Sequence, residues 1–148
     1  MILKEEITLK KDIKIVWEAL NNVEILKECI PGCEEINGNI QTGLETTVKQ
    51  KIGPMSVKFR GNIIIKDVVS CKSYTIEGKG KGGSAGFASG IANVQLKSNN
   101  TNETTIFYLV EAKIGGKIAQ LGNRIIGGFA KKMAKSFFQE FKRKLEEN

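Results

Sequence analysis

Three cysteines and the absence of histidine limit the chemistry that this 148-residue chain can perform. Without histidine no Ser-His or Cys-His nucleophile pair can form, and the commonest general base and metal ligand is missing. Cys29 and Cys33 flank a Pro-Gly turn with a C-x₃-C spacing, but zinc takes about four ligands, and only Cys71 and carboxylates remain. We therefore expect no metal site and no cofactor, only two small thiols beside a rigid turn.

Carboxylates are the remaining candidates for acid–base chemistry. Glu18, Glu45, Glu77 and Glu111 show no evident partner on the same face of a predicted element. The pattern predicts no catalytic residue, and we expect a protein that is not an enzyme. The odd cysteine count and an N-terminus without the apolar core of a signal peptide favour a reducing cytoplasm.

A glycine run at residues 78–86 is the most conspicuous motif. Three of its glycines match G-x-G-x-x-G, yet a strand rather than a helix is expected to follow, which disfavours dinucleotide binding. One interpretation is a bent strand region in which glycine allows close backbone approach. The other is a contact loop that presents Lys79 and Lys81 to a partner.

Alternation and capping residues predict the elements that position these groups. Residues 2–9 are predicted as a strand, Asp12 caps a short helix that ends near Leu20, and Asn21 or Asn22 caps a second. Apolar and polar residues then alternate along further segments, at 44–52, 57–65, 74–79, 88–96 and 106–114. One apolar and one mostly polar face per strand predict an antiparallel sheet that is covered on one side.

From Lys117 onward, apolar residues recur every three or four positions, which predicts one helix of about 30 residues, roughly 45 Å long. Only the apolar face of the sheet is large enough to cover it. The sequence therefore predicts an α+β, helix-grip fold: a curved antiparallel sheet wrapped on a long C-terminal helix, with two short helices near the N-terminus. We expect residues 1–148 to form a single domain with a cavity between helix and sheet.

Apolar and aromatic residues on these elements either line that cavity or simply fill the core. Small residues at Gly61, Gly122 and Ala130 leave room among them and favour a cavity. The predicted ligand-binding residues are Trp17, Leu20, Phe59, Ile63, Phe87, Tyr108, Leu121, Ile125, Phe129 and Met133.

The net charge of +7 comes from 23 Lys and Arg against 16 Asp and Glu, and the last helix carries most of the excess. Such a helix face is ordinarily solvated, but it also attracts acidic proteins and anionic membrane surfaces. Nucleic acid is disfavoured because no stacking aromatics accompany the basic face. The predicted partner-contact residues are Lys79, Lys81, Lys117, Arg124, Lys131 and Lys135.

Five segments carry a family resemblance: 16–21, 26–34, 51–54, 78–88 and 115–122. Their sequences, Cys-Ile-Pro-Gly-Cys and Gly-Lys-Gly above all, resemble the CoxG family of carbon monoxide dehydrogenase subunits over nearly the whole chain. The resemblance implies a START-like fold and an accessory protein that binds an apolar, quinone- or lipid-like molecule. It further implies assistance to a molybdenum hydroxylase of the carbon monoxide dehydrogenase type, in the cytoplasm and peripheral to the inner membrane face.

Two alternatives stay open. One is an adaptor for proteins or membrane surfaces that holds no ligand. The other is a START-like enzyme, a cyclase or hydrolase, which a pocket with a buried, paired glutamate would favour. Longer family members carry a C-terminal linker and membrane anchor, and no apolar stretch here approaches the ~20 residues that span a bilayer, so we expect no stable anchoring.

Overall fold

A computed structural model gives the fold of residues 1–147 as a seven-stranded antiparallel sheet curved around a C-terminal helix. The elements, in chain order, are β1 Ile2–Leu9, α1 Ile13–Leu20, α2 Val23–Cys29, β2 Cys33–Asn39, β3 Gly43–Ile52, β4 Met55–Val69, β5 Ser73–Lys81, β6 Phe87–Asn100, β7 Glu103–Gly115 and α3 Asn123–Glu146. The strand order is β1-β7-β6-β5-β4-β3-β2, so β1 and β2 form open edges. The predicted helix-grip fold is confirmed.

Side-chain caps set the starts of the two short helices. The Asp12 carboxylate accepts a hydrogen bond from the backbone N–H of Lys14 at 2.8 Å. The Asn22 side chain accepts two, from the N–H groups of Glu24 at 3.0 Å and Ile25 at 3.2 Å. These bonds satisfy amides that a helix start leaves unpaired, and they confirm the predicted starts of α1 and α2.

Strand β2 is the element for which the sequence offers the weakest pattern. Its side chains are mostly exposed, and Cys33 and Ile36 are only half-buried, so no apolar alternation predicts it. It exists because β3 supplies an antiparallel partner, with Ile36 opposite Thr46. Edge strands of this kind depend on a neighbour rather than on their own hydrophobic pattern.

The C-terminal helix begins later than its apolar pattern predicts. Residues Lys117–Leu121 form a 3₁₀ turn, and Gly122 follows with a φ of 91°, a conformation that glycine adopts at little cost. The α-helix starts at Asn123 and has 24 residues, about 36 Å and not the predicted 45 Å. The break also shifts the helical phase, so that Ile126 is buried while Ile125 is 39% exposed.

Two apolar clusters hold α3 against the inner face of the sheet. The larger surrounds the fully buried Phe141 and joins α1 to the middle of the sheet. The smaller contains Ile52, Val57, Ala85 and Ile118 and packs against the first half of α3. The first half of α3 therefore contacts the smaller cluster, and its second half contacts the larger one.

Candidate functional site

The inner face of the sheet carries very small residues where β5, β6 and β7 pass beneath α3. The register places Gly78 opposite Gly90 and Gly90 opposite Ala112, and in the next row Gly80 opposite Ala88. A Cβ added to Gly78 would meet no atom within 4 Å. Because the first glycines of the run have no side chains, they leave space between the inner face of the sheet and α3.

A cleft of ≈ 320 Å³ occupies this space between the sheet and α3. Ile126, Phe129 and Met133 of α3 form its roof, and Ile114 and Ile118 lie at its edge. Residues of β3 and β4 complete the wall: Val48, Gln50, Ile52 and Phe59. None of the described lining residues is acidic, basic, a cysteine or a tyrosine, so the cleft suits contact with an apolar molecule.

A second, smaller cavity of ≈ 140 Å³ follows one helical turn further along α3. Phe137 and Phe138 of the helix, Ile63 and Ile76 of the sheet, and Leu20 of α1 contribute to its wall. Every buried side-chain nitrogen and oxygen among residues 1–147 has a hydrogen-bond partner, so no buried polar group requires a ligand.

Three of the ten predicted ligand-binding residues line the cleft, and Leu121 and Ile125 lie outside its lining. Phe59, Phe129 and Met133 line it. Leu121 packs on the smaller cluster. Ile125 lies near the β3–β4 turn, 3.4 Å from where a Cβ on Gly53 would be. Leu20 and Ile63 line the smaller cavity instead.

Trp17 and Tyr108 fill the larger cluster rather than the cleft. The Trp17 ring meets Tyr74 edge to face, with 5.4 Å between centroids, and the Tyr108 ring stacks on Phe138 at 4.8 Å. The Tyr108 hydroxyl donates a hydrogen bond of 2.7 Å to Glu5. Burial, and secondly this bond, raise the pKa of Tyr108, and the paired glutamate lies outside the cleft lining.

Phe87 lies on the outer face of the sheet, opposite to the cleft. Phe87 is 52% exposed, and its ring covers Gly115, where an added Cβ would be 2.2 Å from the ring's Cζ. Ala88, the next residue, faces the cleft. Side chains alternate along a strand, so a shift of one position in the predicted pattern exchanges the two faces.

The predicted ligand-binding residues all have bulky side chains, so the glycines and alanines that line the sheet side of the cleft are not among them. A signal for them is nevertheless present in the sequence. Gly78 and Gly80 are two residues apart in β5, as are Ala88 and Gly90 in β6, which is the spacing of one face of a strand. The bend interpretation of the run applies to its second half, where Gly86 turns with a φ of 125°.

The predicted partner-contact residues fall on two separate surfaces. Lys79 and Lys81 are exposed on the outer face of β5. The others are exposed on the solvent side of α3 or on the 3₁₀ turn before it: Lys117, Arg124, Lys131 and Lys135. A partner that contacts Lys79 and Lys81 through the sheet therefore meets a different surface from one that contacts α3.

Cys29 and Cys33 are in surroundings that suppress the reactivity of their thiols. Cys29 is 2% exposed, and burial is the main cause that raises its pKa to about 11. Burial also raises the pKa of Cys33. Both thiols are therefore protonated at neutral pH.

Among residues 1–147 no cluster of three or more His, Cys, Asp or Glu side chains is placed to bind a metal. In the same residues no helix has the length and hydropathy to cross a bilayer.

The fold and the apolar cleft place the chain among START-like, helix-grip proteins. It superposes on a START superfamily protein from Mycobacterium smegmatis with a TM-score of 0.74 and 8% identity, covering 99% of this chain and 97% of that one. The Zhui aromatase/cyclase from Streptomyces sp. R1128 gives a TM-score of 0.66 and 10% identity, with coverages of 97% and 94%. At such low identities, the TM-scores establish a shared fold alone.

Residues 6–146 match the sequence model of CoxG, a family of carbon monoxide dehydrogenase subunits, and the chain belongs to this family. A conserved protein from Geobacillus kaustophilus is 26% identical and superposes with a TM-score of 0.93, covering 99% of this chain and 96% of that one. A comparison with curated protein sequences gave no match. The family is named as part of an enzyme complex, and its name describes no reaction of its own.

Proposed function

We propose that this chain is a non-enzymatic accessory protein that binds an apolar, quinone- or lipid-like molecule between α3 and the sheet. The observation that carries the proposal is the ≈ 320 Å³ apolar cleft above the Gly78 floor. Small-molecule sites occupy about 300–1,000 Å³. An apolar cavity of about 150 Å³ holds benzene, so this cleft has room for about two fused rings.

The chemistry of the lining supports binding over catalysis. The cleft presents a single side-chain amide, Gln50, and no group that titrates near neutral pH. Ser89 contributes only its backbone, because it pairs with Lys79 and its hydroxyl therefore lies on the outer face of the sheet. The Glu5–Tyr108 pair is the arrangement that an enzyme hypothesis would need, but its tyrosine is stacked on Phe138 in the larger cluster. A cyclase of similar fold keeps catalysis as the alternative to be tested.

The family name supports a role beside an oxidoreductase. We propose that the chain assists a molybdenum hydroxylase of the carbon monoxide dehydrogenase type, with the cleft ligand as the molecule that it holds for that enzyme. The solvent side of α3, with Arg124, Lys131 and Lys135, is our proposed contact with an anionic membrane surface.

Methyl-selective NMR tests ligand binding, because the chain has three methionines in different surroundings. Met133 lines the cleft, Met55 packs on the smaller cluster, and Met1 is exposed. Titration of ¹³C-methyl-methionine protein with menadione, a two-ring quinone, is expected to shift the Met133 signal saturably and to leave Met1 unchanged. A Met133 signal that stays fixed up to the solubility limit of menadione would reject the cleft as a quinone site.

Two further measurements address the ligand class and the membrane. Native mass spectrometry of protein purified without detergent should reveal an apolar molecule that organic solvent releases.

Flotation with phosphatidylcholine vesicles, with and without phosphatidylglycerol, should show binding that needs the anionic lipid. That binding should weaken in Lys131→Gln/Lys135→Gln and persist in Arg60→Gln/Lys81→Gln, which removes the same charge from the outer face of the sheet. Equal loss in both variants would contradict a contact through α3.

A further inference from the structure

The outer face of the sheet carries a groove of ≈ 700 Å³ that the ligand hypothesis leaves unused. It crosses strands β2 to β6 on the side opposite to the cleft. In its centre Arg60 of β4 lies directly opposite Lys81 of β5, and Lys79 lies two residues before Lys81 on the same face. Three cations are therefore concentrated on two neighbouring strands.

These three cations lack counter-ions within residues 1–147. The two other outer-face cations of β4 are paired, Lys58 with Glu34 at 3.1 Å and Lys66 with Glu77. For Arg60, in contrast, the structure gives no carboxylate within ion-pair distance, and its cross-strand neighbour is another cation. Like charges directly opposite each other in a sheet repel. The fold therefore retains an unfavourable arrangement that an anionic partner would relieve.

An exposed aromatic ring lies beside these charges. Phe87 pairs directly with Lys81 across β5 and β6, and its ring rests on Gly115 with half of its surface in solvent. Because the ring packs against the backbone on one side, it offers a fixed apolar surface on the other. Aromatic residues and arginine are the side chains most enriched at the energetic centres of protein interfaces.

We propose that this groove docks an acidic, extended segment of a partner protein. Carboxylates of the segment pair with Arg60, Lys79 and Lys81, and an adjacent apolar side chain packs on Phe87. Five strands spaced about 4.8 Å apart give a groove roughly 19 Å long, which matches about six extended residues. Glu35 of β2 and Glu45 of β3 also line the groove and disfavour acidic residues at that end, so the acidic residues of the segment lie over β4 and β5.

A protein segment fits this groove better than a small anion does. All three cations and Phe87 are exposed, and they are distributed over three strands rather than gathered in a buried site. The groove is also independent of the cleft, since the two use opposite faces of the sheet. Failure of ligand binding in the cleft would therefore leave this proposal standing, and the reverse also holds.

The test uses the whole chain labelled with ¹⁵N and a blocked peptide of about six residues in which two glutamates directly precede a final leucine and the earlier residues are uncharged. Amide shifts should concentrate on β4, β5 and the start of β6. Arg60→Gln/Lys81→Gln should weaken binding at least about tenfold, and Phe87→Ala severalfold, whereas the charge-matched Lys131→Gln/Lys135→Gln should bind as wild type does. The first variant should melt at a temperature equal to or above that of wild type, because it removes a repulsion.

Several outcomes would overturn the proposal. Shifts centred on α3, equal affinities in the two charge-matched variants, or no binding at low salt would each reject this groove as the acidic-segment site. Inorganic pyrophosphate that binds the same amides as tightly as the peptide would make it a small-anion site instead. Concentration-dependent shifts of the same amides without peptide would identify a second copy of the chain as the occupant.

Discussion

Replacement of Gly78 by valine gives the most direct test of the cleft. Gly78 has no left-handed φ, so a β-branched residue can adopt its strand backbone without strain. Its added Cβ would have no neighbour within 4 Å, and the side chain would extend into the cleft under α3. The substitution should therefore stabilise the fold and weaken ligand binding together.

The expected magnitude follows from two contributions. Glycine inside a strand costs about 0.5–1 kcal/mol relative to alanine. The two further methyl groups of valine add about 0.8 kcal/mol each when they are buried against the roof of the cleft. The free energy of unfolding should rise by about 2 kcal/mol, and the melting temperature by roughly 4–8 °C for a chain of this size.

Binding should change in the opposite direction, because valine occupies space that the ligand needs. The affinity for menadione should fall at least about tenfold, which corresponds to about 1.4 kcal/mol. Lys79→Val is the matched control, since it places the same side chain one residue later on the outer face of β5. It should leave the affinity unchanged.

Calorimetry and thermal unfolding measured on the same samples decide the matter. Wild-type affinity in Gly78→Val would mean that the ligand binds elsewhere. A loss of stability by more than about 1 kcal/mol would mean that the space above Gly78 is not available to a side chain. Equal affinity losses in Gly78→Val and Lys79→Val would point to a general disturbance of β5.

Three more predictions concern packing and pH. Gly61→Ala should destabilise by about 3 kcal/mol in urea unfolding, because its Cβ would lie 1.7 Å from the Lys79 carbonyl oxygen. Tyr108→Phe should cost about 1–2 kcal/mol, since Glu5 loses its hydrogen-bond donor. Because burial raises the pKa of Cys29 to about 11, its contribution to stability is fully present below the unfolded thiol value of 9.0 and is lost as pH rises towards about 11, a loss on the order of 2–3 kcal/mol. Cys29→Ala should flatten that part of the stability–pH curve.

Each of these has an outcome that would contradict it. Wild-type stability of Gly61→Ala would mean that β4 and β5 separate more easily than their register suggests. An unchanged Tyr108→Phe would show that water replaces the tyrosine hydroxyl beside Glu5. If Cys71→Ala flattened the alkaline curve as much as Cys29→Ala does, burial of the Cys29 thiol would not be the cause.

The sequence determined the elements that depend on local chemistry. Asp12 and Asn22 carry the side-chain oxygens that cap helix starts, and alternation within β1 places Leu3 and Leu9 on the face that is buried. The helical spacing after residue 117 predicts α3 but not its start, because a 3₁₀ turn shows nearly the same spacing. Only the left-handed backbone of Gly122 separates the two.

The tertiary structure decided which apolar residues have neighbours. Trp17 and Phe129 look equally suited to a cavity in the sequence, yet Trp17 packs on Tyr74, whereas Phe129 packs on the smaller cluster and also lines the cleft. The packing of α1 and α3 on the sheet decides such cases, because a helix position acquires its surroundings only when the elements are brought together. The residues that create the cleft are those with the smallest side chains or none, and they leave a shared space only because the strand register brings Gly78, Gly90 and Ala112 side by side.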